Sequence, residues 1–160
     1  MQVIVSALAA SGLSPTRLEI EITETVLLHN KEATLATLHQ LRALGIRIAM
    51  DDFGTGYSSL TYLQSFPFDK IKIDRSFVKD ITENSGSLNI VRAVAALANG
   101  MGMTATAEGV ETPEQLAKIA SEGCTEMQGF LFSRPLPASE IERQFLVGRG
   151  PRKAPGRNVA

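Results

Sequence analysis

Five of the predicted β-strands of this chain share one property that restricts its fold: polar side chains predominate on one face and apolar side chains on the other. Successive side chains of a strand point to opposite faces of its sheet. The segment 18–23 therefore places Glu19 and Glu21 on one face, and Leu18 and Ile20 on the other. Across five segments, the predicted polar face comprises Glu19, Glu21, Thr23, Arg47, Ala49, Asp51, Lys70, Lys72, Asp74, Thr104, Thr106, Glu108, Cys124, Glu126 and Gln128.

Helical patterns alternate with these strands, which predicts parallel βα units and an α/β fold. A doubly wound sheet buries both faces and would be apolar on both. A polar face on strand after strand instead favours a TIM-like barrel, whose active site lies at the C-terminal ends of its strands. Predicted strands cover 18–23, 46–50, 69–73, 103–107, 124–128 and 130–132, and predicted helices cover 1–12, 31–44, 61–66, 87–98, 113–121 and 139–147.

The totals of the sequence exclude several classes of protein. A formal net charge of -1 argues against non-specific binding of DNA. No apolar run reaches the roughly 18 residues of a membrane span, and no signal peptide is visible. The single cysteine, Cys124, excludes an internal disulfide framework, and we expect a cytoplasmic protein. One domain is predicted over 1–147, followed by a disordered basic tail over 148–160 that is rich in Gly, Pro, Arg and Lys.

Asp51 and Asp52 are adjacent carboxylates at the end of the second predicted strand. Two such charges about 4 Å apart repel by roughly 4 kcal/mol near a protein surface, so a fold that holds them usually adds a cation. Oxygen ligands without a His or Cys cluster favour Mg²⁺ or Mn²⁺, and carboxylate-rich two-metal sites commonly cleave phosphodiesters. Gly54 and Gly56 would allow the backbone to approach such a metal or a phosphate closely. Alternatively, the two aspartates form a solvated turn.

Five ordered motifs resemble the EAL domain family, the cyclic di-GMP phosphodiesterase module. The resemblance extends to about residue 147 and is specific because the motifs occur together. They are Glu21-Ile22-Thr23-Glu24, Asp51-Asp52-Phe53-Gly54-Thr55-Gly56, Lys72-Ile73-Asp74, Ala107-Glu108-Gly109-Val110-Glu111-Thr112, and Gln128-Gly129-Phe130 with Pro135.

The resemblance implies a role for each matching residue. Glu21, Asp51, Asp52 and Glu108 would bind the metal centre. Lys72 would hold the attacking water, while Glu111 and Gln128 would support the metal and that water. Glu24 would steady the loop that follows the paired aspartates. The residues that bind the substrate stay unassigned. Glu21 could instead form a structural salt bridge with Lys70 or Arg47.

The sequence also departs from the family pattern. The 160 residues contain no Glu-Ala-Leu signature, whose Glu is a metal ligand in the family, and they lack the Asn ligand of the second strand. The expected barrel is therefore incomplete, with about six of eight strands, as in a fragment or a degenerate relative. We accordingly expect weak or absent hydrolysis by this chain.

Two alternatives to catalysis stay open, namely a non-catalytic cyclic di-GMP receptor and a structural fragment. Exposed sheet edges tend to pair with another chain, so we expect a homo-oligomer, most simply a dimer. The family resemblance also allows a sensor or cyclase domain upstream in a parent protein.

Overall fold

The computed structural model describes residues 1–28, 31–54 and 60–146, which form an α/β domain around a parallel sheet. The five strands are β1 (Glu19–Thr23), β2 (Arg47–Phe53), β3 (Lys70–Ile73), β4 (Thr104–Glu108) and β5 (Glu126–Gln128). The α-helices are α1 (Gln2–Ser11), α2 (Glu24–Leu28), α3 (Lys31–Ala43), α4 (Leu60–Ser65), α5 (Arg75–Lys79), α6 (Ser85–Gly100), α7 (Pro113–Ser121) and α8 (Ala138–Ile141). A 3-10 turn covers Pro15–Arg17, and a π-helical segment over Glu142–Leu146 continues α8.

The strands lie side by side in the order in which they occur along the chain, β1-β2-β3-β4-β5, and every neighbouring pair is parallel. A doubly wound sheet would reverse its strand order at a switch point, whereas a barrel adds each strand next to the previous one. The observed order is thus that of a barrel wall. The α/β prediction is confirmed, with five strands among the described residues rather than about six.

The apolar faces of the strands form the core with the helices. Ile48, Met50, Ile71 and Ile73 are fully buried on the sheet face that packs against the helices. Burial of such side chains contributes about 1.5–3 kcal/mol each. The opposite face carries the polar residues, so the predicted separation of the two faces is confirmed.

Local side-chain hydrogen bonds determine where several helices begin. Asn84 Oδ1 accepts hydrogen bonds from the amides of Gly86 and Ser87 at the start of α6. Asp74 Oδ1 accepts one from Ser76 N at the start of α5, and this bond helps to hold the pKa of Asp74 below its usual value against the opposing effect of burial. Such caps satisfy amides that have no partner within the helix.

The prediction of a sixth strand at 130–132 is wrong. These residues form a turn, in which Leu131 N donates to Val110 O at 3.0 Å and Phe132 N donates to Gly129 O at 3.1 Å. Gly129, at the start of this turn, lies directly against the backbone of Val110, where a Cβ would not fit. The short helices α2 and α5 were absent from the prediction, and the first predicted helix is confirmed as α1, which ends at Gly12 with φ 67°.

No helix in the described part of the chain is both long and apolar enough to cross a membrane. The predicted basic tail, 148–160, lies outside the described residues, so the domain boundary at 147 stays a prediction.

Candidate metal and phosphodiester site

A β-bulge brings the two adjacent aspartates to the same side of the sheet. The pairing of β2 with β3 runs Met50 to Ile71 and then Phe53 to Ile73, so β2 contains one residue more than its partner in this interval. Asp52 takes up the difference with φ 54°, a left-handed conformation that Asp adopts more readily than most residues. Strict alternation would have pointed only one of the two side chains inward.

The bulge creates a compact group of carboxylates at the C-terminal ends of β2 and β4. One oxygen each from Asp51, Asp52 and Glu108 lies within 4.8 Å of the others, and all three residues are half-buried. Among the described residues Asp51 Oδ1 is buried and has no hydrogen-bond partner, although Lys72 Nζ lies 3.0 Å away as an ion-pair contact. An oxygen-only group of this size fits a hard divalent cation such as Mg²⁺ or Mn²⁺.

Lys72 reaches this group from β3 and is itself buried. Its ammonium lies 2.6 Å from Glu108 Oε1 and 2.7 Å from Glu21 Oε2, besides the contact with Asp51. Burial by itself would lower the pKa of Lys72, but its bonds with these three carboxylates outweigh burial and raise that pKa well above its ordinary value. Lys72 is therefore a permanent cation near neutral pH.

A second charged layer lies on the same face, one side-chain step earlier along the strands. Lys70 Nζ is 2.8 Å from Glu19 Oε1 on β1 and 2.6 Å from Glu126 Oε2 on β5. Although burial opposes it, the pKa of Lys70 is raised by these bonds, and the Lys70 bond lowers the pKa of Glu126. Arg47 Nε lies 3.8 Å from Glu19 Oε2, so this layer contains two cations and two carboxylates.

The salt bridges of Glu21 differ from the structural alternative considered for it. Its partner is Lys72, whereas Glu19 is the residue that pairs with Lys70 and Arg47. Glu21 therefore contacts the predicted site through the lysine, while the group of three carboxylates that could hold an ion does not include it.

Glu111 lies in the loop between β4 and α7, which follows Glu108. Gln115 stabilises this loop through three hydrogen bonds. Its Oε1 accepts from Glu111 N at 2.8 Å and from Thr112 N at 3.0 Å, and its Nε2 donates to Lys79 O at 3.1 Å. The loop also passes close to α5, because a Cβ on Gly109 would lie 2.6 Å from Arg75 Cβ. A cavity of about 410 Å³ is lined by Arg75, Ser76, Lys79, Gly109, Glu111 and Gln115.

Gln128 ends β5 beside Glu108, with which it is in register. It lines a second, open cavity of about 580 Å³ together with the segment that follows it. In that segment the Arg134 guanidinium lies 4.6 Å from the ring centre of Phe130, a cation–π distance. The structure thus places Gln128 beside Glu108 in the sheet and Glu111 in the loop that follows β4, each lining a cavity of its own, and the roles predicted for them stay predictions.

Three residues predicted to support the aspartate loop have different outcomes. Gly54 has φ 96°, and a Cβ there would lie 3.0 Å from Phe77 Cε2, so its close contact among the described residues is with a ring of α5. Gly56 lies outside the described residues, as does the side-chain placement of Glu24. The supporting roles of Glu24 and Gly56 stay predictions.

The sequence pattern assigns no role to Gln115 and does not predict the salt bridges of Lys70 with Glu19 and Glu126, while Gly129 occurs in it only within a family motif. The Thr112-x-x-Gln115 spacing is a capping-box signature, and the structure contains the complete reciprocal box. Gly129 had no comparable signal, because its need for a small residue comes from Val110: a Cβ at 129 would lie 2.1 Å from Val110 O.

The residues described above lie in the part of the chain that is similar to known proteins. The sequence matches the family model described as the EAL domain over residues 1–135. It is 54% identical over 135 residues to the uncharacterized protein y4lL of Sinorhizobium fredii, covering 84% of this chain and 16% of that protein. It is 46% identical over 140 residues to the cyclic di-GMP phosphodiesterase NbdA of Pseudomonas aeruginosa, covering 88% of this chain and 18% of that protein.

Solved structures of similar proteins have the same fold. The EAL domain of Mycobacterium smegmatis DcpA superposes with a TM-score of 0.86 at 43% identity, over 94% of this chain and 67% of that one. A manganese and cyclic di-GMP complex of Klebsiella pneumoniae BlrP1 superposes with a TM-score of 0.78 at 41% identity, over 84% of this chain and 34% of that one. The chain spans less than a fifth of the length of the two curated relatives named above. The family match over 135 residues, together with these structures, shows that the chain belongs to the EAL domain family and forms part of its TIM-like barrel.

Proposed function

We propose that this domain hydrolyses a phosphodiester bond of cyclic di-GMP to give the linear dinucleotide, with the help of divalent metal ions. The observation that carries the proposal is the group of three carboxylates, Asp51, Asp52 and Glu108, two of which, Asp51 and Glu108, also contact the buried ammonium of Lys72. The relative NbdA, named as a cyclic di-GMP phosphodiesterase, supports the choice of substrate.

The proposed metal ligands are Asp51, Asp52 and Glu108, with Glu21, whose Oε2 contacts Lys72, joining through Oε1 or through water. Mg²⁺ and Mn²⁺ both suit these oxygen ligands, and the manganese complex of BlrP1 supports Mn²⁺. When bound, divalent ions in such a site supply Lewis acidity that makes water a better nucleophile and stabilises the leaving oxygen.

Lys72 has a different task from that of a proton acceptor. The three carboxylates around Lys72 favour its charged form, in which the ammonium donates hydrogen bonds and does not accept a proton. It can donate hydrogen bonds to the attacking water or to a phosphate oxygen, and its charge opposes the negative charge that develops in the transition state. Gln128, which is in register with Glu108, and Glu111, three residues after Glu108, are proposed to orient that water.

A second candidate function is a cyclic di-GMP receptor that does not hydrolyse its ligand. One observation favours it: the sequence contains no Glu-Ala-Leu signature, so the metal ligand expected from it is not among these residues. We also propose that the domain works beside a sensor or cyclase domain, because the relatives are several times longer than this chain.

Incubation with cyclic di-GMP and either Mn²⁺ or Mg²⁺, followed by chromatography for the linear dinucleotide, tests both candidates. We expect slow, ion-dependent product formation that is lost in Glu108→Gln and kept in Glu114→Gln, an exposed control at the start of α7. Binding without product would refute hydrolysis and favour the receptor. Absence of binding in calorimetry would refute both.

A further inference from the structure

The ammonium of Lys72 occupies contacts that a metal ion on this site would need. Its Nζ lies 3.0 Å from Asp51 Oδ1 and 2.6 Å from Glu108 Oε1, and both residues belong to the group of three carboxylates that could hold an ion. The third contact of Lys72 is different, because Glu21 lies outside that group.

An ammonium group has three hydrogens to donate, and three carboxylate oxygens lie within 3.0 Å of Lys72 Nζ. The ammonium is thus surrounded by these three carboxylates at ion-pair distance, which balances its positive charge. A divalent cation bound by Asp51 and Glu108 would compete for the same two carboxylates and would repel the ammonium beside it. The two cations cannot both hold these ligands at full strength.

We propose that Lys72 is the resident cation of the ion-free site and that a divalent ion displaces it from Asp51 and Glu108 while Glu21 retains it. The inference rests on the proposed metal-dependent function. Displacement would free the side of Lys72 Nζ that faces Asp51 and Glu108 to donate hydrogen bonds beside the bound ion, where the water and the phosphate of the substrate are expected. Ion binding would thereby prepare Lys72 for its proposed task.

Lys70 offers a matched comparison within the same strand. It is also a buried lysine of β3 held by two carboxylates, but its partners, Glu19 and Glu126, lie outside the group of three. Removal of Lys70 deletes one positive charge on the same face without freeing a proposed metal ligand. The pair of variants therefore separates direct competition from long-range charge.

Titration calorimetry with Mn²⁺ on wild type, Lys72→Met, Lys72→Arg and Lys70→Met tests the proposal. We expect Lys72→Met to bind Mn²⁺ at least about tenfold more tightly than wild type, which corresponds to about 1.4 kcal/mol. Lys72→Arg, which keeps a cation in place, is expected to bind Mn²⁺ with nearly the wild-type affinity. Lys70→Met is expected to gain clearly less Mn²⁺ affinity than Lys72→Met. Equal gains in the two methionine variants, or no gain in Lys72→Met, would overturn the proposal.

A measurement on the wild-type protein covers the case in which Lys72→Met does not fold. The side-chain ¹⁵Nζ signals of the lysines are followed by NMR during titration with Mg²⁺, with Lys72→Arg identifying the signal of Lys72. We expect the Lys72 signal to move and that of Lys70 to stay. If Mg²⁺ binds and the Lys72 signal does not change, the displacement of Lys72 is refuted but the proposed metal centre is not. Failure of wild type to bind either ion would refute the proposed metal centre as well.

Discussion

Gln115 is predicted to be the most important single side chain for holding the loop that connects the carboxylate site to α7. It is buried, and its amide group makes three hydrogen bonds, to Glu111 N, Thr112 N and Lys79 O. Gln115→Ala removes all three and leaves the backbone groups without these partners. The change tests whether the loop is held by this side chain or by the surrounding fold.

The expected loss follows from the number of bonds. A hydrogen bond contributes about 1 kcal/mol net, so three give about 3 kcal/mol of the free energy of unfolding. For a chain of this length, each kcal/mol shifts Tm by roughly 2–4 °C, which predicts a fall of roughly 6–12 °C. Gln115→Glu should lose less, because its carboxylate can still accept from both amides but cannot donate to Lys79 O.

Chemical denaturation with urea, read by circular dichroism, measures this loss. Gln40→Ala is the control, because Gln40 is an exposed glutamine on α3. A loss for Gln115→Ala that is no larger than that of the control would show that the loop does not depend on these three bonds. A loss for Gln115→Glu equal to that for Gln115→Ala would show that the two amide bonds contribute nothing.

Three further predictions concern the sheet and its edges. The pKa of Glu126 is lowered beside Lys70, so its stabilising effect should be complete above about pH 4.3 and be lost as the pH falls through the lower pKa of the folded state. Glu126→Gln should therefore reduce the fall in the free energy of unfolding at acid pH, measured by urea titration. An unchanged dependence on pH would exclude the effect. Gly129→Ala should destabilise the protein by about 3 kcal/mol because the new Cβ would meet the backbone of Val110. Gly100→Ala, where the new Cβ lies in open space, should stabilise α6 by about 0.4–1 kcal/mol. Equal Tm values for the two variants would contradict this pair of predictions. Because β1 and β5 each have one paired side among the described residues, light scattering should give the mass of a homo-oligomer, most simply a dimer, and a monomer at tens of micromolar would refute this.

Much of the site could be anticipated from side-chain alternation. Lys72, Glu108 and Asp51 lie on the predicted polar face, and they do converge in the structure. The alternation is reliable here because the opposite face is packed with buried apolar side chains, and a slip of one residue would expose them. The functional roles of these residues stay predictions.

The inward position of both Asp51 and Asp52 required the structure. It depends on a bulge in β2 and on φ 54° at Asp52, and neither feature has a local sequence rule strong enough to predict it. The turn at 130–132 was misjudged for a similar reason. Its apolar residues fit a strand, but the backbone turns and bonds to Val110, with Gly129 in a close contact that the sequence pattern does not show.

The sequence by itself determined the α/β alternation, the polar interior face and the set of residues that could form a site. Only the tertiary structure decided which of them meet. By ladder register, Lys70 lies level with Ala49 and Glu21, yet its ammonium binds Glu19, which lies two residues before Glu21 on β1. Lys72 shows the same offset, since it binds Glu21. The physical reason is the tilt of barrel strands, which makes a layer of interior side chains run obliquely to the hydrogen-bond register, and a sequence pattern carries no direct sign of that tilt.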